Sequence, residues 1–325
     1  FGPEPTHTFA DNGTFTALLT ATDDAGNVDT DLFTVVVTNA TPIAEAGPDH
    51  SVAWGRPVLF GGSAVDPGSA DQASLSYTWN FGDGSPSAAG GAATAHSYAT
   101  PGDYVATLTV CDKDQACGTD NRTIHVRRRN VTVSVAGSTN SVYDTAGQLS
   151  ATVVDEFGAP VANRSVSFTL DGAAIGSAAT SSNGVATITH APQVPAGLHS
   201  VSATLAQDAL YSGPVSASGD LDVAKKATSV TYTGAVTGGP NKVITLSASL
   251  VDATGKPLAG RTVNFTLGTQ SASATTDANG KAATTLKLTQ KNGTYTVSAS
   301  FAPAGGDTGR YLGSAVNATF KLQAK

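Results

Sequence analysis

Tyr77-Thr78-Trp79-Asn80-Phe81-Gly82-Asp83-Gly84 is the stretch on which the reading of this chain turns. In an extended strand, side chains alternate between faces, so Tyr77, Trp79 and Phe81 share one face while Thr78 and Asn80 take the other. Gly82-Asp83-Gly84 is turn chemistry, since Gly reaches positive φ without a clash and Asp hydrogen-bonds its own backbone. The same period-two alternation, bounded by Gly, Pro, Asn and Asp, recurs in Phe15–Ala21, Val131–Val135 and Val263–Leu267. It is the pattern of half-buried antiparallel strands. No segment keeps an amphipathic helical period over three turns. Strand signals every ~8–12 residues, with turn residues between them, predict β-sandwiches.

Working outward, two internal repeats set the module size. His7, Phe9, Gly13, Phe15, Ala17, Leu19, Asp23, Val35 and Val37 match His96, Tyr98, Gly102, Tyr104, Ala106, Leu108, Asp112, Ile124 and Val126, all at an offset of 89. Leu149, Val154, Asp155, Gly158, Pro160, Val166, Phe168 and Leu170 match Leu246, Val251, Asp252, Gly255, Pro257, Val263, Phe265 and Leu267 at an offset of 97. The expected fold is therefore all-β, a string of four immunoglobulin-like sandwiches at residues 1–40, 41–129, 130–224 and 225–325. The first is incomplete at its N-terminus, because an 89-residue unit ending near residue 40 would begin before Phe1.

The chain has 325 residues, which fits two to four domains. Charged residues are 13%, Gly numbers 35, and there is no Met, which reads as an internal or processed piece of a longer product. No apolar run approaches the ~18 residues that would span a bilayer, so a transmembrane anchor within the segment is excluded. The net charge of -7 hides a bipolar chain. Residues 1–40 carry -6, 41–129 carry -3, 130–224 carry -6 and 225–325 carry +8. A basic nucleic-acid binder is excluded.

Residues 42–128 resemble a polycystic-kidney-disease (PKD) domain, through Pro42–Asp49, then Trp79-x-Phe81-Gly82-Asp83-Gly84, then His96–Val110. Residues 1–40 resemble the C-terminal half of the same module. Residues 130–224 and 225–325 resemble bacterial Ig-like repeats, through Val154-Asp155-x-x-Gly158-x-Pro160 and Val251-Asp252-x-x-Gly255-x-Pro257, with Tyr211 and Tyr311 in later Tyr-x-Gly motifs. Both resemblances imply sandwiches that serve as spacers, adhesive units or accessory domains.

The PKD resemblance places Cys111 and Cys117 on a hairpin joining the last two strands. There a disulfide is expected, and with it an oxidising, extracytoplasmic compartment. The same region implies calcium as a possible structural cofactor, with Asp66, Asp71, Asp112 and Asp114 as candidate ligands against a reading as solvated turn carboxylates. Trp54 stands where a turn is expected, either as a platform for a sugar or polymer or as a cap on the sandwich. Arg127, Arg128 and Arg129 form either a solvated linker or a contact for a protease or an anionic polymer. Asp252 with Lys242 and Asn317 is a candidate trio for an intramolecular isopeptide bond, against the reading that these residues form none. Catalytic motifs are absent: the chain has no His-Glu-x-x-His, Gly-x-Ser-x-Gly or phosphate loop.

The expected function is a non-catalytic extracellular rod that spaces and presents adhesive faces. Its partners would be neighbouring subunits, or a cell-wall or extracellular polysaccharide or protein polymer, with no nucleic acid. Two alternatives stand beside it. One is a set of polymer-binding modules of a secreted hydrolase. The other is a filament or sheath subunit whose first module is completed by a strand from another chain.

Overall fold

Alternation becomes sheet wherever the sequence shows it. The computed structural model describes residues 4–136 and 139–323. Among the described residues the helical segments are two single turns, Ser69–Gln72 and Gly305–Gly309. The chain divides into two compact units: Phe1–Asn130 with the loop Gln207–Gly213, and Val131–Ala206 with Pro214–Lys325.

The first unit opens with an antiparallel hairpin, Gly13–Thr22 against Val28–Val37. Its apolar side chains stay in solvent: Leu18, Leu19, Leu32, Phe33 and Val36 are each more than half exposed. The repeat accounts for Leu19, which corresponds to Leu108, fully buried in the next module, whereas Leu18, Leu32 and Val36 correspond to Thr107, Asn121 and His125 on that module's polar face. That module closes with a five-stranded sheet in the order His50–Ala53, Cys117–Arg127, Gly102–Cys111, Ser76–Asn80, Ala88–Ala89. Its first pair is parallel. Ile43–Glu45 with Ser63–Val65, and Pro57–Gly61 with Ala93–Ser97, form two further antiparallel pairs.

Trp79 and Phe81 are buried against Phe60, Tyr98, Leu108 and Ile124, and Tyr77 packs half-buried at the edge of this core. The Trp79 indole N–H, which needs a partner inside a core, donates to Ala92 O at 3.2 Å. The turn that follows is held by its own side chains. Gly82 has φ +77°, and a Cβ there would lie 2.3 Å from Val105 O, so the position requires glycine. Asp83 accepts from Ser85 N at 3.1 Å and Ser85 Oγ at 2.6 Å, and its other oxygen meets His96 Nε2 at 2.7 Å. The His96 ring stacks on Phe81 with centroids 4.1 Å apart.

In the second unit one plan is built twice. A three-stranded sheet, Val131–Val135, Gly147–Asp155, Val185–His190, is followed by a five-stranded one ordered Thr139–Val142, Val215–Ala224, Gly197–Leu205, Ser165–Leu170, Ala173–Ala179. The same two sheets recur from Thr228–Tyr232 to Ser314–Leu322. Phe168 and Phe265 fill equivalent core positions with no exposure, and each buried ring contributes roughly 1.5–3 kcal/mol. The Asp-x-x-Gly-x-Pro motif is a strand-end turn. Asp155 Oδ1 accepts from Phe157 N and Ala159 N, both at 2.9 Å, and Asp252 Oδ1 accepts from Thr254 N at 2.8 Å and Lys256 N at 3.0 Å. Gly158 and Gly255 supply the positive φ these turns need.

Candidate functional site

Two places in the first unit gather the residues with chemistry. One is the hairpin turn between Gly102–Cys111 and Cys117–Arg127. Cys111 and Cys117 face each other in the ladder and are joined by a disulfide. Within the loop, Asp112 N donates to Ala116 O at 3.0 Å and Ala116 N donates to Asp112 Oδ1 at 2.9 Å. Asp23 makes the same kind of turn in the first hairpin, where its Oδ1 accepts from Asn27 N at 2.8 Å. Asp112 therefore serves its own loop, and its second oxygen takes a hydrogen bond from Asn39 Nδ2 at 2.8 Å. Burial pushes the Asp112 carboxyl up, but the hydrogen bonds from Asn39 and Ala116 outweigh it and hold the group below its ordinary value.

The turn throws Lys113 into a ring of acids. Its Nζ lies 2.7 Å from Asp11, 3.2 Å from Asp71 and 2.5 Å from Asp114. Asp11, Asp71 and Asp114 bring their ligand oxygens within 4.8 Å of one another. Asp71 sits on the Ser69–Gln72 turn, where burial raises its carboxyl above the ordinary value against the pull of Lys113. Lys113 is raised in turn, chiefly by its hydrogen bonds to Asp11 and Asp114. Of the four aspartates singled out from sequence, the structure brings Asp71 and Asp114 together. Asp112 is spent on its loop, and Asp66 accepts from Gly68 N at 2.8 Å while its buried Oδ2 has no hydrogen-bond partner. Asp11, which completes the ring, went unread because it lies just before the first hairpin and its repeat equivalent, Thr100, is not acidic.

The second place is the end of the PKD-like module. Trp54 follows the parallel strand His50–Ala53, and its backbone N–H donates to Arg127 O at 3.0 Å. The indole N–H donates to Leu210 O at 2.7 Å, Tyr211 meets the ring edge-on at 5.9 Å, and the Arg129 guanidinium lies 4.4 Å from the ring centroid. The ring is thus engaged at its N–H, at an edge and on a face. The three arginines do different work. Arg129 packs on Trp54, whereas Arg127 and Arg128 are exposed, with Arg128 Nε donating to Asp208 O at 2.9 Å.

The second unit repeats this build with other residues. Tyr143 follows the parallel strand Thr139–Val142, its N–H donates to Ala224 O at 2.9 Å, and Tyr311 meets it edge-on at 5.5 Å. Arg310 lies 5.5 Å from the Tyr143 centroid. In place of an arginine, Lys226 is buried at 2% exposure, with its Nζ 2.9 Å from Asp252 and donating to Asp144 O at 3.0 Å. Asp252 therefore has Lys226 as its partner rather than Lys242, and Asn317 is exposed on an outward sheet face. The candidate isopeptide trio is not assembled. Tyr143 and Lys226 were not legible as site residues, since neither stands in a motif with a charge partner nearby in sequence.

Comparison with known proteins follows the same division. Residues 39–126 match the PKD domain family, and residues 225–321 match the bacterial Ig-like domain (group 1) family. Over 217 residues, 61% of this chain, the sequence is 31% identical to the inverse autotransporter adhesin YeeJ of Escherichia coli (strain K12). The chain spans 9% of that protein's length. Among solved structures, a tetra-tandem repeat in the extending region of a large adhesion protein matches 97% of this chain and 82% of its own, at 18% identity and a TM-score of 0.41. A Ca2+-stabilised adhesin of an Antarctic bacterium matches 97% of this chain and 82% of its own, at 15% identity and a TM-score of 0.28. Scores this low carry no argument. Set beside the duplicated sheets and the Trp-x-Phe-Gly-Asp-Gly turn, the family matches identify a PKD domain at residues 39–126 and a bacterial Ig-like domain (group 1) at residues 225–321.

Proposed function

We propose that the chain is a non-catalytic, extracellular spacer that holds adhesive faces away from a cell, with a polysaccharide or protein polymer or neighbouring subunits as its partner. The observation that carries this reading is the packed joint of the second unit. There Tyr143, Tyr311, Lys226 and Asp252 fill the space that a flexible linker would leave to solvent. Similarity to a protein named as an adhesin supports the same reading. The boundaries 1–40, 41–129, 130–224 and 225–325 are proposed as its modules. Electron microscopy and small-angle scattering of the 325-residue chain test it. Straight particles of constant length support a spacer, and a collapsed or freely jointed string overturns it.

Calcium enters as a structural ligand in a second reading, favoured by the carboxylates of Asp11, Asp71 and Asp114 and by the unpartnered buried oxygen of Asp66. Oxygen donors of this kind suit Ca2+. The Lys113 ammonium holds the centre of the ring, so calcium has to displace it. Thermal unfolding with calcium and with chelator, on the chain and on Lys113→Gln, decides the point. The variant should gain the larger calcium-dependent shift, and no shift in either protein removes calcium from the account.

A further inference from the structure

We propose that His199 is a proton-operated latch on the joint inside the second unit: its imidazolium ties the loop 191–196 to the strand Gly197–Leu205, and loss of the proton releases that loop and loosens the joint. The loop belongs to the joint. Pro192 O accepts from Asp144 N at 2.8 Å, next to Tyr143, and Ala196 N donates to Gly309 O at 2.6 Å in the following module. Gly309 comes so close that a Cβ there would lie 3.1 Å from Pro195 Cβ. His199 fastens this loop from the other side, with Nε2 2.7 Å from Pro195 O and Nδ1 2.7 Å from Asp171 Oδ2. A carbonyl and a carboxylate only accept. A neutral imidazole carries one N–H and one lone pair, so it serves one of them, whereas the imidazolium donates to both. When the proton leaves, the remaining N–H stays with Asp171, whose charge makes the stronger bond, and Pro195 O is left facing a lone pair.

The other modules make this contact with a tyrosine. Tyr104 donates to Thr100 O at 2.9 Å and Tyr295 to Lys291 O at 2.7 Å, each four residues upstream, as His199 does to Pro195. Val201 and Val297 pair with Leu170 and Leu267 in the two sheets, which makes His199 the counterpart of Tyr295 and Asp171 that of Gly268. A phenol O–H stays a donor throughout the range in which an imidazole titrates, so the exchange to histidine makes the bond depend on pH. Asp171 and Gly268 both sit at positive φ, +49° and +57°, where glycine is favoured. Here that position holds a carboxylate instead, with Oδ1 accepting from Ser200 N at 3.0 Å and Oδ2 on the ring. Charged and titratable groups of the surrounding elements are turned away or engaged. Asp220 and Asp222 flank Leu221, the residue opposite His199, and are exposed on the other face. Asp307 is clamped by Arg261 at 2.7 Å, Asp144 meets Lys256 at 3.1 Å, Arg310 lies over Tyr143, and His190 lines a small cavity with Leu221. Burial pushes the His199 ring down, but the bonds to Asp171 and Pro195 outweigh it and raise the ring above its ordinary value. The latch is therefore closed below the unfolded value of 6.5 and opens as pH rises through the higher folded one.

The joint is the one on which the spacer reading rests, and the test separates the two. In the 325-residue chain, protection of the Ala196 amide against hydrogen exchange, corrected for the intrinsic rate, should fall about tenfold between about pH 5.5 and 9, the scale of one lost hydrogen bond. The fall should follow the titration of the His199 ring observed by NMR. His199→Tyr, which installs the donor of the last module, should keep the protection level across the range. Asp171→Gly, the last module's residue at the other position, should lower the pH at which the ring titrates and carry the fall in protection with it. A flat profile in the unaltered chain, a fall that persists in His199→Tyr, or a fall that stays in place when Asp171→Gly moves the ring's titration overturns the proposal. Straight particles in electron microscopy beside a flat exchange profile would leave the spacer standing and remove only the latch.

Discussion

Gly82 is a residue at which the PKD-like module tolerates little. Its positive φ and the 2.3 Å approach to Val105 O leave no space for a side chain, so Gly82→Ala should cost about 3 kcal/mol, read as a drop in the chemical-denaturation midpoint of this module. Gly84, also at positive φ but with open space around it, should tolerate alanine better. Asp83 and Asp252 are both held down to about 2. In each case burial acts in the opposite direction. It is overcome by hydrogen bonds from Ser85 and His96 to Asp83, and from Thr254, Lys226 and Lys256 to Asp252. A carboxyl depressed in the folded state contributes stability that is complete above its unfolded value of 3.8 and disappears as pH falls toward 2. Thermal midpoints should therefore be level from neutral pH to about 5 and fall steeply between about 4 and 2. Asp83→Asn should flatten that fall. The Asp83 turn was legible because its partners are near in sequence or recur in the repeat. The cradle around Trp54 was not, because Arg129 and Leu210 reach it from positions 75 and 156 residues away.

At the scale of the element, the disulfide hairpin shows what spacing can and cannot say. Cys111 and Cys117 stand opposite each other because the two strands pair in register up to that rung. The family resemblance supplied the hairpin and the geometry closed it. Removing the disulfide in Cys111→Ala/Cys117→Ala should cost about 2 kcal/mol, as expected for so short a closed loop, and chemical denaturation of oxidised and variant chains measures it. Lys113 should then move more freely, and its contact with Asp11 should weaken first. The first hairpin was equally legible in its strands. Its repeat equivalence also foretold which faces would be apolar, since Leu19 and Val35 stand where Leu108 and Ile124 are buried. What no periodicity could show is that Asp11, just ahead of this hairpin, would reach the neighbouring turn, for that depends on how the ends of elements meet.

For the whole molecule, charge is the property that sequence reading delivered most completely. The first 40 residues carry -6 and the last 101 carry +8, and neither value depends on packing. Opposite ends of this kind should draw copies together head to tail at low ionic strength. At physiological salt the screening length is about 8 Å, so that attraction should fade, and sedimentation at low and high salt measures it. Concentration-dependent association that persists at high salt would place the contact on apolar surface instead, with the exposed Leu18, Leu32 and Phe33 as the first place to substitute. The fold class and the two-by-two order of modules follow from repeats, and repeats survive in sequence because each module solves the same burial problem. The joints do not repeat residue for residue. Trp54 and Tyr143, or Arg129 and Lys226, share a position and a role without sharing an identity.

The buried Lys226 gives the second unit a chemical clock. An ammonium at 2% exposure, held by Asp252 and Asp144 O, is shielded from acylating reagents that reach surface amines such as Lys256, which is 65% exposed in its side chain. Acylation of Lys226 can proceed only when the joint around Tyr143 and Tyr311 opens. Its rate, followed by mass spectrometry against that of Lys256, should therefore count openings of the joint. Pulling on the chain should speed the first rate and leave the second unchanged, making one lysine a gauge of tension on this joint.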